Sequence, residues 1–296
     1  MSLVVTHSRQ FHSDEIMAIM LLKKYYFEES PKIIRTRDEK LLNQYKKDEN
    51  VFVIDVGFVH DAGLLNFDHH QQGFSQKWED GTPLSSCGLI WKWLRSNKYL
   101  HQKMNDVMMD TIENEIIKKV DAQDNGCGVW QEGIMLSQFN RNHHDDKVID
   151  GQFKRALATA FSIYENSFYH LKAKIRDRKD IFKAIKDSES KGYEHTVVFK
   201  SKLNDGVGVV ADETKANWVI IPRTKNSWKI QAVPKNSRES FSQRNTPPKE
   251  WFGLNDKDLK RVSGINQLFF CHKNGFMLLF EGELKDAVLL TEGLLR

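Results

Sequence analysis

The chain has 296 residues, enough for two domains or for one large one with a substantial core. Hydrophobic residues make up 40% and charged residues 28%, which excludes a disordered chain. Lysine and arginine exceed aspartate and glutamate by only four, 44 against 40, so overall charge alone does not announce a nucleic-acid binder. Three scattered cysteines, Cys87, Cys127 and Cys271, form no C-x-x-C pair and suit a reducing compartment. The N-terminus shows no leader or secretory pattern, and no apolar run is long enough to span a bilayer. A cytoplasmic location, with no membrane partner, is the expectation; the oligomeric state is left open.

In chain order, residues 2–6 read as a short buried strand. A loop with His7, His12 and Asp14 follows, then a helix with a wide apolar face from Ile16 to Leu22, capped by Ser13 or Asp14. Residues 32–36 and 51–57 read as further strands, with a polar helix or turn over 38–47 between them. The apolar run 62–67 reads as another strand, ending in Asp68-His69-His70. Ser85-Ser86-Cys87-Gly88 opens a helix, a start that suits either anion binding or plain capping. A long helix over 104–120 closes with Asp121 and Asp124 before Gly126. Residues 140–146 read as a polar loop, and residues 150 to about 190 as a strongly helical bridge. Beyond it, 196–199, 218–221 and 228–233 read as an antiparallel set, with further strands over 268–271 and 276–280 and a last helix over 283–295.

The fold class expected is α/β. An N-terminal parallel-sheet domain covered by helices, residues 1–190 with its linker helix, is joined to a smaller mixed α/β domain at 193–296. In a parallel sheet the strand C-termini share one edge, so His7, His12, Asp14, Asp55, Asp68, His69 and His70 converge there. Asp121 and Asp124 at a helix end join them. Imidazoles and carboxylates without thiolates suit two Mn²⁺ or Mg²⁺ ions bridged by Asp55 or Asp68. Such a pair activates water for phosphoester hydrolysis, and a spare histidine protonates the leaving alkoxide. In the second half Arg223, Lys225, Lys229, Lys235, Arg238, Arg244 and Arg261 mix with Trp228, Phe241 and Trp251. That mixture suits a single-stranded nucleic acid, or a solvated basic surface over buried tryptophans.

The motifs are Thr6-His7-Ser8 with Phe11-His12-Ser13-Asp14-Glu15, Asp55-Val56-Gly57, Phe67-Asp68-His69-His70-Gln71, Leu84-Ser85-Ser86-x-Gly88 and Val120-Asp121-Ala122-x-Asp124-Asn125-Gly126. With 228–234, Ser240-Phe241 and Phe270-x-His272 to Gly275-Phe276, they resemble the DHH phosphoesterase superfamily, and within it the melanocyte-proliferating-gene family. The resemblance implies a DHH-type catalytic domain and a substrate-binding domain. It implies metal ligands at His7, His12 or Asp14, Asp55, His69 and Asp121, with Asp68 and His70 orienting ligands or acting on substrate. Ser85, Ser86, Arg223, Arg238, Arg244, His272 and Gly275 are the candidate substrate contacts. The activity implied is a 3′–5′ exonuclease on RNA or short oligonucleotides, with RNA processing as its role. The alternatives are a small-molecule phosphohydrolase acting on pyrophosphate or a nucleotide, and a non-catalytic metal- or nucleic-acid-binding protein. The chain departs from the family at Arg9 and Phe58, where glycines are usual, and at Met277-Leu278-Leu279, which replaces a glycine-rich turn.

Overall fold

The computed structural model describes residues 2–127, 136–140, 145–237, 239 and 242–295. The chain forms two compact units, Met1–Leu171 and Lys172–Arg296. The division falls inside the bridging helix rather than after it, where the sequence placed it.

The first unit holds strands β1 (Leu3–Thr6), β2 (Lys32–Arg35), β3 (Val51–Ile54), β4 (His60–Asp61) and β5 (Asn66–Phe67), in the sheet order β2-β1-β3-β5-β4. β1, β2, β3 and β5 pair in parallel, and β4 lies antiparallel on β5. The run 62–67 is thus not one strand. Residues Ala62–Leu64 make a 3₁₀ turn, Leu65 takes a left-handed φ of 54°, and only Asn66 and Phe67 join the sheet. Helix α1 (Ser13–Tyr25) is capped one residue before Ser13 and two before Asp14, the caps expected. His12 is the N-cap, and the Glu15 carboxylate accepts its backbone N–H at 2.9 Å. Ile16 to Leu22 are buried on all sides of α1, wider than a single apolar face. The helix packs against β3, α3 (Ser86–Ser96) and α5 (Lys118–Asp124). Each such buried aliphatic side chain contributes roughly 1.5–3 kcal/mol of transfer free energy. Helix α2 (Glu39–Tyr45) is capped by Asp38. The helix expected over 104–120 runs as α4 (Asp106–Ile112), a π-helical turn (Glu113–Ile117) and α5, reaching Asp124. Helix α6 (Asp146–Ser190) is 45 residues long.

In the second unit, β6 (Thr196–Val198), β7 (Trp218–Thr224), β8 (Ser227–Ala232), β9 (Leu268–Cys271) and β10 (Met277–Glu281) form the sheet β6-β7-β8-β10-β9. The expected all-antiparallel set is corrected at one edge, because β6 runs parallel to β7. Two helices went unrecognised in the sequence: α7 (Gly206–Glu213), which makes that crossover, and α8 (Asp256–Ser263). Side chains alternate between faces along β7. Trp218 and Ile220 pack with Leu259 of α8 and with Ala287 and Val288 of α9 (Leu284–Leu289). Val219 and Ile221 pack with Ile181 and Ile185 of α6 and with Val210 of α7. That two-sided burial is why residues 218–221 are apolar without a break.

Candidate metal centre

The site forms in the first unit, because parallel pairing carries the chain off one sheet edge after β1, β3 and β5. His7 follows β1, Asp55 follows β3, and Asp68-His69-His70 follow β5. Asp14 and Glu15 lie in the first turn of α1, and Asp124 is the last residue of α5.

His7 Nε2 lies 3.1 Å from Glu15 Oε1 and 3.2 Å from Asp55 Oδ2. His69 Nε2 lies 3.2 Å from Asp124 Oδ2, 3.4 Å from Asp55 Oδ1 and 4.0 Å from Asp14 Oδ2. Despite these separations neither Nε2 meets the angles of a hydrogen bond, and both oxygens of fully buried Asp14 lack a partner too. Buried polar groups are nearly always bonded, so atoms left unbonded around one point mark a place for a cation. Three overlapping groups have ligand atoms within 4.8 Å of one another: His7, His12, Glu15 and Asp55; Asp55, His69 and His70; and His12, Asp14 and Asp124. Asp55 is common to the first two, as a bridging carboxylate must be. The donor set, imidazole and carboxylate without thiolate, fits Mn²⁺ or Mg²⁺. His7 Nδ1 donates to the Ser8 carbonyl at 3.2 Å, so Nε2 is the atom that would meet a metal once the ring is neutral.

The electrostatics follow from this crowding. Burial opposes a charge on His7, but Asp55 and Glu15 outweigh it and raise its pKa to about 10. Burial likewise opposes charge on His69, and Asp124 and Asp55 raise it to about 10. Burial pushes the Asp14 carboxyl well above the usual range, reinforced by Asp55, Asp124 and Glu15. Burial alone would raise Asp55, yet His69 and His7 hold it below the usual range. Asp68 is also depressed, since hydrogen bonds from His70 and from the Phe58 N–H overcome its burial.

Asp68 accepts from His70 Nδ1 at 2.9 Å through one oxygen and from the Phe58 N–H at 2.7 Å through the other. Held at Nδ1, and half-exposed, His70 presents Nε2 outward. Asp55, Phe58 and Arg9 all take left-handed backbone conformations, with φ of 57°, 55° and 68°. Glycine adopts that conformation without steric cost, which accounts for the glycines usual at the last two positions.

Several sequence expectations need correction. Asp121 stands apart from the three metal-capable groups. It is fully buried, and its carboxylate accepts from Ser85 Oγ at 2.6 Å, Trp78 Nε1 at 2.6 Å and the Gly88 N–H at 2.9 Å. Burial raises its carboxyl to about 7 against those three donors. A β-carbon at Gly88 would collide with that carboxylate, so only glycine allows the approach. Ser85 and Ser86 are buried as well; Ser85 also caps α3 at the Cys87 N–H, and Ser86 donates to Asp55 Oδ1 at 3.2 Å. Their hydroxyls are committed within the protein rather than free for substrate.

Arg244 binds the carbonyls of Ala211 and Ala216 at the end of α7, again a structural role. Gly275 sits in a turn at φ 70° with the Phe252 ring where a side chain would be. Arg223 is exposed, 5.8 Å from the Phe269 ring. His272 accepts the Asn274 N–H at Nδ1 and lies 4.1 Å from the Phe276 ring. Arg238, and the Ser240-Phe241 motif, lie outside the described residues.

Four contributors were missed. Glu15 reads in sequence as an ordinary first-turn acid, and its pairing with a histidine N-cap follows no capping signature. Asn140, 129 residues from Phe11, accepts that residue's N–H at 3.2 Å and donates to its carbonyl at 2.6 Å. Arg35 reaches the Arg9 carbonyl and Arg37 the Ser8 carbonyl. These side chains brace the loop that carries His7 and His12.

Comparison with known proteins places the chain among its relatives. The MYG1 protein of Dictyostelium discoideum is 27% identical, over 93% of this chain and 91% of that one. The MYG1 protein of Schizosaccharomyces pombe is 29% identical, over 96% and 95%. The MYG1 exonuclease of Homo sapiens is 29% identical, over 92% and 80%. Among solved structures, the pGpG-specific phosphodiesterase PggH from Vibrio aligns at TM-score 0.26 and 11% identity, over 99% of this chain and 96% of that one. RecJ from Thermus thermophilus in complex with Mn²⁺ aligns at TM-score 0.29 and 10% identity, over 98% and 50%. Those two overlaps are too low to carry an argument. The family model MYG1_exonuc, described as uncharacterised protein family UPF0160, matches residues 3–288, and the chain belongs to that family.

Proposed function

We propose that this protein is a divalent-metal-dependent phosphodiesterase that works as a 3′–5′ exonuclease on RNA or short oligonucleotides, with two Mn²⁺ or Mg²⁺ ions. The observation that carries the reading is the convergence of His7, His12, His69, Asp14, Glu15, Asp55 and Asp124 around unbonded buried atoms. The exonuclease name borne by the human relative supports the reaction class.

In this reading His7, His12 and Asp55, with Glu15 beside them, hold one ion. Asp14, Asp55, His69 and Asp124 hold the other. Bound there, the ions would polarise the phosphodiester and lower the pKa of a water. The protein's own part is positional. Asp55 orients both ligand sets, and Ser86 fixes one of its oxygens. Asp68 anchors His70 at Nδ1 and raises its pKa, so that Nε2 carries a proton for the leaving 3′-oxygen.

The second unit carries a candidate face for nucleic acid. Lys229 and Gln231 of β8, Met277 and Leu279 of β10 and Phe270 of β9 alternate with core residues and so share the sheet's other face. They are only partly buried. Burial and nearby Lys202 lower the pKa of Lys229, a strain that a bound phosphate would relieve. A lysine on the same face as the Phe270 ring suits a single strand.

The test is the full chain with Mn²⁺ on end-labelled RNA, a dinucleotide and pyrophosphate. Stepwise shortening from the 3′ end is expected, and Asp55→Asn should slow it at least about 100-fold. Consumption of pyrophosphate or mononucleotide alone would replace this reading with the small-molecule phosphohydrolase.

A further inference from the structure

Phe58 is an expensive residue in an unusual place. It is 69% exposed, the most exposed phenylalanine or tryptophan among the large hydrophobic side chains described. Its φ of 55° is a conformation that a residue with a β-carbon adopts at a cost of about 1 kcal/mol. Among the described residues its ring stacks on no other ring. No buried contact therefore accounts for the ring, and the backbone would be more relaxed with glycine. The conformation persists because the Phe58 N–H is pinned 2.7 Å from Asp68 Oδ2, and that same carboxylate holds His70 through its other oxygen. Backbone strain maintained beside a reactive side chain points toward function.

We propose that Phe58 is a base-stacking platform for the nucleotide being removed. This inference rests on the exonuclease reading above and adds the residue that grips the base. One carboxylate holds both the residue that donates a proton to the phosphodiester and the backbone of the residue whose ring meets the nucleobase. Stacking of this kind tolerates any base, because every base offers a π-face. It gives an exonuclease a handle that does not read sequence.

The test compares wild type with Phe58→Gly on two Mn²⁺-supported substrates: a tetraribonucleotide, and the same strand with an abasic ribose at its 3′ end. Wild type should show a KM about tenfold higher for the abasic strand. Phe58→Gly should show that raised KM for both strands, with the difference between them gone. Its thermal midpoint should equal or exceed that of wild type, since glycine takes this φ freely. A residue of merely structural importance would lower the midpoint and leave the abasic penalty in place. An abasic penalty that survives in Phe58→Gly overturns the inference and leaves the exonuclease reading standing. Wild type that turns over neither strand overturns both.

Discussion

Adding Mn²⁺ to the metal-free protein should expel protons, and the number follows from the structure. His7 and His69 both have pKa values raised to about 10, so both are imidazolium at pH 7.5. A metal accepts only the neutral ring, so each must lose its proton on binding. At least two protons should therefore leave per chain, and Asp14, held well above the usual carboxylate range, adds to them. With His7 on one ion and His69 on the other, each binding event expels about one proton, so each apparent affinity should rise about tenfold per pH unit between pH 7 and 9, or about 1.4 kcal/mol. Isothermal titration calorimetry in buffers of different ionisation enthalpy counts the protons directly.

The same shifts predict how the metal-free fold responds to pH. A histidine whose folded pKa lies above its unfolded value of 6.5 stabilises the fold fully below pH 6.5. That contribution is lost as pH rises through about 10. The thermal midpoint of metal-free protein should fall across this window, while that of the Mn²⁺-loaded protein holds. Mn²⁺ binding with no proton release and a flat pH dependence would refute the reasoning, because neither imidazole could then carry a proton that the metal must displace.

Asp121 and Asp124 should separate cleanly in a metal count. Asp124→Asn is expected to lose one Mn²⁺ per chain by elemental analysis, whereas Asp121→Asn keeps the wild-type number but lowers the thermal midpoint, because an amide nitrogen meets one of three buried donors. Loss of Mn²⁺ from Asp121→Asn would restore it as a ligand. His70→Gln should lower kcat by about 100-fold with Mn²⁺ content unchanged. Most of that loss should vanish on a p-nitrophenyl phosphodiester, whose leaving group needs no proton, and an equal loss on both substrates would argue against a general acid.

The first half of the fold was legible because its signals are local. Continuous apolar strands such as Val51–Ile54, separated by helical stretches, announce a parallel sheet, and that topology alone brings strand ends to one edge. It is the reason His7, Asp55 and His69 could be expected near one another, and their side chains do lie close. The run 62–67 misled because apolar content does not show that Leu65 turns left-handed and hands only two residues to the sheet. The direction of β6 was equally hidden, since parallel and antiparallel edges carry the same side chains and the crossover helix α7 is only eight residues long.

Residue chemistry and order along the chain were enough to identify the family's metal-binding motifs and the side chains able to serve them. Which carboxylate joins the histidine cluster was decided by three-dimensional packing. Asp121 and Asp124 are three residues apart on one helix, yet Trp78 and the start of α3 claim the first while His69 meets the second. Arg244 and the two serines read as substrate contacts until the fold gave their polar atoms nearer partners. A buried polar group bonds whatever the fold brings within 3 Å, and that proximity, set by contacts across as many as 139 residues, is absent from any local pattern.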